Sequence, residues 1–161
     1  MGKNLCNQTN AVIFVQAHES DAAHVASSLG VPTENVLGLS AKESAWGASR
    51  FATAGNAFFN MEIRFSNKKG SKQEPTKDDL PKFATGWMQA LKADQPTFVF
   101  TYPSYLASAQ SFAAAWGSVV RGLEDPVKFL TALRDAGFNT EDSDFTDPET
   151  IKNTATRLKC P

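Results

Sequence analysis

The stretch Gly38-Leu39-Ser40-Ala41-Lys42-Glu43-Ser44-Ala45-Trp46-Gly47 predicts a helix that carries one carboxylate, Glu43, among apolar residues. A helix start precedes it at Pro32-Thr33-Glu34-Asn35, with proline in the first turn, where its missing N–H costs little. Val36, Leu39, Glu43 and Trp46 follow at the spacing of one helix face. This face is expected to point towards the core, and to take Glu43 with it.

A carboxyl group on such a face has two interpretations. Burial removes hydration from the charged form and so raises the pKa of a carboxyl group, which keeps a general acid protonated near neutral pH. The structural alternative is a glutamate held by an arginine or by backbone N–H groups, because ion pairs of that kind also perturb pKa values. The spacing of Glu43 alone fits both.

Length and composition predict one ordinary globular domain over residues 1–161. Hydrophobic residues make up 42% of the 161-residue chain and charged residues 20%, which is not a disordered composition. The formal net charge of −1 argues against a nucleic acid partner bound by bulk charge. No apolar run approaches the roughly 20 residues that a membrane span needs.

The two cysteines, Cys6 and Cys160, lie almost at the two ends of the chain. Because chain termini often lie close together, the pair is a disulfide candidate, and a disulfide would indicate an oxidising compartment. Two free thiols at the chain ends are the alternative. His18 and His24 are six residues apart and do not share a helix face, so no metal pair is predicted and both are expected at the surface.

The remaining pattern is largely helical, with one irregular region. Gly30 is expected to end the first helix in the left-handed conformation, and the segment from Arg64 to Asp79 is the strongest loop candidate. Thr97 to Tyr102 is a candidate strand. The predicted helices, besides that of Glu43, cover 11–29, 80–91, 104–120, 126–135 and 149–158.

Four short blocks follow one another between Gly30 and Thr140. They are Leu29-Gly30-Val31-Pro32 with Val36-Leu37 and Ala41-Lys42-Glu43-Ser44-Ala45-Trp46-Gly47, then Asn56-Ala57-Phe58-Phe59-Asn60-Met61, then Tyr102-Pro103-Ser104-Tyr105-Leu106-Ala107-Ser108, then Leu133-Arg134-Asp135-Ala136-Gly137-Phe138-Asn139-Thr140. In this order they resemble the G-V-P…A-L-E-S-G-W-G, N-N-L-F-G-I, Y-x-S-x-x-x-S and L-x-x-A-G-Y-A-T segments of bacterial N-acetylglucosaminidases of glycoside hydrolase family 73. Flagellar peptidoglycan hydrolases and many autolysins belong to that family. The ordered set is more specific than any one block.

The resemblance implies a mainly α, lysozyme-like domain with a small irregular or β lobe flanking a cleft. It also implies peptidoglycan glycan strands as substrate, no cofactor, and Glu43 in the general-acid position. The residues expected to contact substrate are Trp46, Asn56, Phe59, Tyr102, Tyr105 and Phe138.

Several of these residues also have structural interpretations. Asn56 follows a glycine where the chain turns, so it suits a helix cap in the left-handed region as well as a bond to substrate or a brace for Glu43. Asn60 replaces a family glycine, and asparagine is the next best residue at positive φ. Phe59 suits a core as well as a sugar platform, the tyrosines suit packing as well as stacking on sugars, and Ser104 is a candidate helix cap.

Two departures from the family pattern bear on mechanism. The family tyrosine of A-G-Y is replaced by Phe138, which loses the hydroxyl. The family also has an acidic residue on a β-hairpin, which this chain lacks in recognisable form. The candidate second acids are Glu62, Glu74, Asp78 and Asp79. An acid across the cleft from Glu43 would leave room for water and invert configuration, whereas without one the substrate's acetamido group would assist.

The predicted function is therefore hydrolysis of the β-1,4 bond after N-acetylglucosamine. The alternatives are a lytic transglycosylase and a non-catalytic peptidoglycan-binding module with the same fold. No secretory signal is visible after Met1, although the implied substrate lies in the periplasm or cell wall. Delivery by a phage, an export apparatus or a contact-dependent secretion system is expected, the last with a cognate immunity protein that blocks the cleft.

Overall fold

Six helices and a small sheet form the part of the chain that the computed structural model describes, residues 4–64, 75–90, 97–138 and 142–161. The helices are α1 (Thr9–Leu29), α2 (Thr33–Ser44), α3 (Arg50–Gly55), α4 (Tyr105–Val120), α5 (Pro126–Asp135) and α6 (Glu149–Arg157). The strands are β1 (Glu62–Arg64), β2 (Gly86–Ala90) and β3 (Thr97–Thr101). The fold is mainly α with a small β lobe, as the sequence predicts for a lysozyme-like domain.

Helix α2 lies in the core for most of its length. Each residue from Asn35 to Ala41 is buried, and the helix packs against α1 on one side and α6 on another. At Gly38 the approach to α6 is so close that an added Cβ would lie 2.8 Å from the Cα of Ile151. The end of α2, where Glu43 lies, is therefore anchored in the core.

Most predicted helix ends are confirmed. Gly30 ends α1 in the left-handed region with φ of 69°. Ser104 caps α4, because its hydroxyl accepts a hydrogen bond from the Ala107 N–H at 3.1 Å. The short α3 was not predicted. The sequence signal for its start is the cap residue Ser49, whose hydroxyl accepts a hydrogen bond from the Ala52 N–H at 3.2 Å.

The prediction of a helix over Leu80–Leu91 is wrong. The described part of this segment holds strand β2 after a 3-10 turn at Lys77–Asp79, and Leu91 lies outside the described residues. Strand β3 is central, with order β1-β3-β2 and antiparallel pairing on both sides. Residues 97–100 of β3 are buried, so the backbone of β3 needs hydrogen-bonding partners there. Residues 86–90 supply them as strand β2, and this pairing outweighs the helix-like spacing of apolar residues in their sequence.

The two ends of the chain are joined covalently. Cys6, in a 3-10 turn at Leu5–Asn7, forms a disulfide with Cys160, and their Cα atoms are 5.6 Å apart. Of the two alternatives that the sequence leaves open, the structure has the bridge. Closing a loop this long contributes about 5 kcal/mol in the chain-entropy model. Among the described helices, none combines the length and apolar character needed to cross a membrane.

Candidate active site

Glu43 lies in the last turn of α2 with a partly buried side chain. Its backbone carbonyl accepts a hydrogen bond from the side-chain amide of Asn60 at 2.5 Å. Asn60 precedes strand β1, so this bond joins the end of α2 to the entry of the β lobe. Glu43 is thereby placed at the junction between the helical core and the lobe.

The three residues after α2 take an unusual backbone conformation that fixes this end of the helix. Ala45, Trp46 and Gly47 all have positive φ, at 50°, 56° and 82°. The N–H of Trp46 donates to the Ala41 carbonyl at 2.9 Å, and the N–H of Gly47 donates to the Ser44 hydroxyl at 2.9 Å. These hydrogen bonds within the turn satisfy backbone groups at the end of the helix. The ring of Trp46 remains partly exposed.

Ala45→Gly is expected to stabilise the protein. A residue with a Cβ loses about 1–2 kcal/mol in the left-handed region, whereas glycine adds about 0.4–1 kcal/mol of chain entropy to the unfolded state. The net gain should be about 0.5–1 kcal/mol, measured by thermal unfolding. Ala48→Gly is the matched control in the same turn, at ordinary φ, and should be neutral or destabilising. A lower midpoint for Ala45→Gly would contradict the assigned backbone conformation.

A cavity of about 790 Å³ opens beside this turn, between α1 and α3. Its apolar wall includes the rings of Phe14, His18, Trp46 and Phe58. Polar residues contribute to its lining as well, among them Gln8, Asn10 and Thr53. Of the predicted substrate residues, Trp46 lines this cavity, and Glu43 is not among the residues that line it.

His18 is half-buried in this wall, which corrects the expected surface position. Its ring stacks on Tyr105 with centroids 4.3 Å apart and an interplanar angle of 15°. Burial lowers the pKa of His18 from its ordinary value, against a smaller opposing effect of Asp21. The imidazole is therefore neutral at pH 7 and serves as part of an aromatic cluster.

Tyr102 and Tyr105 lie in the core, so the prediction that they contact substrate is wrong. Tyr102 is 5% exposed and Tyr105 is 4% exposed. The Tyr102 hydroxyl shares a hydrogen bond with Ser111 at 3.0 Å, and that of Tyr105 shares one with Ser40 at 2.9 Å. Burial raises the pKa of Tyr102 to about 12, the Ser111 bond opposing it, and raises that of Tyr105 as well. Both hydroxyls therefore form their hydrogen bonds inside the core.

Phe59 and Phe138 are also core residues, which corrects their predicted place in the cleft. Phe59 is 1% exposed and stacks on Phe112 at 4.9 Å between ring centroids. Phe138 is 6% exposed and meets Trp116 edge to face at 5.2 Å. Rings this enclosed have no face for a glycan strand. The replacement of the family tyrosine by phenylalanine therefore falls on a packing position.

The sequence left open for Asn56 the roles of a helix cap and of a brace for Glu43, and in the structure Asn56 and Asn60 each take one of them. Asn56 caps α3 at φ of 51°, and its amide donates to the Tyr102 carbonyl at 3.0 Å. Asn60 has φ of 48°, as its replacement of a glycine predicts, and it is Asn60 that braces the backbone of Glu43. Of the roles that the sequence leaves open for Asn56, the structure has the helix cap, which ties α3 to the segment after β3, and its contact with substrate stays a prediction.

The candidate second acid Glu62 is connected to the end of α2 by a short path through Asn60. Asn60 touches Glu43, and Glu62 is two residues further on, which an extended chain spans in at most about 7 Å. Asp78 and Asp79 are exposed in the 3-10 turn, where Asp79 accepts from the Thr76 N–H at 2.8 Å. Glu74 lies outside the described residues. Over the described ranges, no cluster of three or more His, Cys, Asp or Glu side chains is placed to hold a metal ion.

Arg157 is the residue near this site that the sequence did not single out. It is 4% exposed, and its guanidinium lies 4.4 Å from the centre of the Trp46 ring. Its Nε donates to the Leu5 carbonyl at 3.4 Å and its Nη2 donates to the Gln8 side chain. The only signal in the sequence was an arginine in the last turn of a helix that ends beside Cys160.

Comparison with known structures finds similar folds throughout the chain. A chain of a type VI secretion system effector–immunity complex from Pseudomonas protegens is 31% identical, with 97% of this chain and 99% of that one covered and a TM-score of 0.77. The peptidoglycan hydrolase from Sphingomonas sp. A1 is 25% identical over 91% of this chain and 92% of that one, with a TM-score of 0.65. The glycoside hydrolase domain from Salmonella typhimurium FlgJ, 18% identical over 92% and 86% of the two chains with a TM-score of 0.53, shares the fold.

Sequence comparison adds the family. No curated protein matches the sequence significantly. The glucosaminidase family model, described as mannosyl-glycoprotein endo-beta-N-acetylglucosaminidase, matches residues 19–158. This range contains Glu43, the turn after it and the entire β lobe. The chain therefore belongs to the glucosaminidase family, glycoside hydrolase family 73.

Proposed function

We propose that this protein hydrolyses the β-1,4 bond after N-acetylglucosamine in peptidoglycan glycan strands, with Glu43 as the general acid. The observation that carries the proposal is the position of Glu43, held at the core–lobe junction by the Asn60 bond, within a family match that spans it. The similar Sphingomonas protein, a peptidoglycan hydrolase, supports the substrate. The last turn of a helix is also where the macrodipole disfavours a negative charge, which suits an acid that must carry a proton.

In this reaction Glu43 protonates the leaving glycosidic oxygen as the bond breaks. A second carboxylate then activates water on the other face of the sugar ring if the enzyme inverts configuration. We assign this role to Glu62, and the support is that it lies two residues after Asn60, whose amide binds the Glu43 carbonyl. The exposed Asp79 is already used within its turn.

Glu62→Gln should lower kcat for glycan hydrolysis by about 100-fold or more, because the amide cannot accept the proton of water. Dye release from labelled sacculi measures it. Asp78→Asn and Asp79→Asn are matched controls in the same lobe and should stay within about threefold of wild type. A large loss of activity in either control, with a mild effect of Glu62→Gln, would assign the role of second acid to the residue changed in that control. Near-wild-type rates in all three variants would favour assistance by the substrate acetamido group or a role for Glu74.

The reaction class is tested by the ends of the products. Mass spectrometry of digested sacculi should find N-acetylglucosamine at new reducing ends. Anhydro-muramyl ends would identify a lytic transglycosylase instead. Binding to sacculi without release of fragments would identify a non-catalytic module.

We further propose that the protein is an antibacterial effector that acts in the periplasm and is neutralised by an immunity protein. The support is the similarity to a chain of an effector–immunity complex and the disulfide, which persists in oxidising compartments. Expression in a Gram-negative host should lyse cells when the protein is directed to the periplasm and spare them when it stays in the cytoplasm. Equal growth in both cases would contradict the effector proposal.

A further inference from the structure

Arg157 links three parts of the molecule that are distant in sequence. It projects from the last turn of α6, its donors reach Leu5 and Gln8 near the start of the chain, and its guanidinium lies against the Trp46 ring. Among the described residues, its Nη1 is buried without a hydrogen-bonding partner. Within the described part of the chain, the hydrogen bonds of the guanidinium therefore go to the N-terminal segment, and its face packs on Trp46.

The disulfide clamps the same two segments. Cys6 is the neighbour of Leu5, and Cys160 is three residues after Arg157, so the bridge holds the acceptors of Arg157 against the helix that carries it. The 3-10 turn at Leu5–Asn7 contains no fully buried residue and packs against α1 and α6 with Leu5 and Cys6 partly buried. Without the bridge, the Leu5 acceptor loses its covalent link to α6, whereas Gln8 stays attached to the first turn of α1.

We propose that Arg157 is a positioning residue through which the Cys6–Cys160 disulfide fixes the Trp46 turn. Trp46 and Gln8 both line the cavity beside α1, and Trp46 is three residues after Glu43. A buried guanidinium that loses the Leu5 acceptor moves towards water, because a buried charge with too few partners is costly. Its departure removes one of the two groups described against the Trp46 ring, the other being the ring of Phe14. Oxidation thus completes the cavity wall at Trp46.

The redox step balances with a dithiol as co-reactant. The dithiol gives two electrons and two protons to the disulfide, becomes a disulfide itself, and leaves Cys6 and Cys160 as thiols. Both cysteines are partly exposed, so a dithiol can reach them. The protein is therefore expected to be less active where thiols are kept reduced and fully active after oxidation. The activity part of this inference rests on the proposed glycan hydrolysis, whereas the coupling of the disulfide to Trp46 does not.

The coupling is tested by fluorine NMR of the full chain labelled with 5-fluorotryptophan. The three tryptophans give three resonances, and Trp46→Phe assigns that of Trp46. Reduction with dithiothreitol should shift the Trp46 resonance more than those of Trp87 and Trp116. In Arg157→Met the resonance should already be shifted when oxidised, and reduction should add little. Arg134→Met, which removes an exposed arginine paired with Asp135, is the matched control and should behave as wild type.

Activity on sacculi gives the second readout. Reduction and Cys6→Ser/Cys160→Ser should each lower kcat/KM at least fivefold in protein that circular dichroism shows to be folded, and Arg157→Met should make reduction ineffective. An unmoved Trp46 resonance on reduction, or an equal shift in Arg157→Met, would overturn the proposal. If Arg157→Met does not fold, Arg157→Lys is used in its place. The comparison of the Trp46 resonance between oxidised and reduced wild type needs no variant. An oxidised wild type that releases no fragments contradicts the proposed function, while the NMR result still decides the coupling.

Discussion

We expect Glu43→Gln to abolish peptidoglycan hydrolysis, with kcat lower by about 100- to 10,000-fold. Glutamine has the shape of glutamate but cannot donate the proton that the leaving oxygen needs. The fold should be unaffected, because glutamine keeps the size of glutamate and the bond from Asn60 is accepted by the backbone carbonyl at position 43. Dye release from labelled sacculi and circular dichroism of the same preparations measure the two effects.

Glu34→Gln is the matched control for this experiment. Glu34 is in the first turn of the same helix, where the substitution should cost at most about 1 kcal/mol of favourable interaction with the helix dipole. Its activity should equal that of wild type. Activity of Glu43→Gln within about threefold of wild type would remove Glu43 as the general acid.

Gly38→Ala should destabilise the protein by about 1–3 kcal/mol, because the new methyl group overpacks the contact between α2 and α6. The added Cβ would lie 2.8 Å from the Cα of Ile151, and a backbone atom cannot move aside without moving α6. The better helix propensity of alanine, about 1 kcal/mol, offsets part of the cost. Each kcal/mol lost lowers the thermal midpoint by about 2–4 °C in a chain of this size.

Gly117→Ala provides the comparison for Gly38. Gly117 is also inside a helix, α4, but its added Cβ would meet the end of the Leu29 side chain at 2.9 Å. A side-chain end adjusts more readily than a backbone, so the gain in helix propensity should leave this variant near wild type. Equal destabilisation of the two variants would show that the contact with Ile151 has no special weight.

The helices were predictable because their signals are local. Apolar spacing marked α1, α4 and α5. Gly30 was visible as the residue that ends α1, and Ser104 as the residue that begins α4. The β lobe was only half predictable. Strand β3 has a continuous apolar run, but β2 was mistaken for a helix because its strand state depends on a partner distant in sequence.

The site was predictable to a different degree at each position. Glu43 stood out because its helix and the family blocks agree on it. The aromatic residues were assigned to the substrate because sequence gives ring chemistry and spacing but not depth. The structure buries Phe59, Tyr102, Tyr105 and Phe138. Depth is set by which elements pack on which, and no local pattern contains that information.

The sequence by itself determined the helical class of this protein, the family, the place of Glu43 near a helix end, and the left-handed positions at Gly30 and Asn60. These follow from residue identity and short-range spacing, which act within one or two turns of the chain. Only the tertiary structure decided the contact of Gly38 with α6, the bond from Asn60 to Glu43 and the position of Arg157 against Trp46. Each of these joins segments that are 17 to more than 100 residues apart, and their meeting depends on the packing of the whole core.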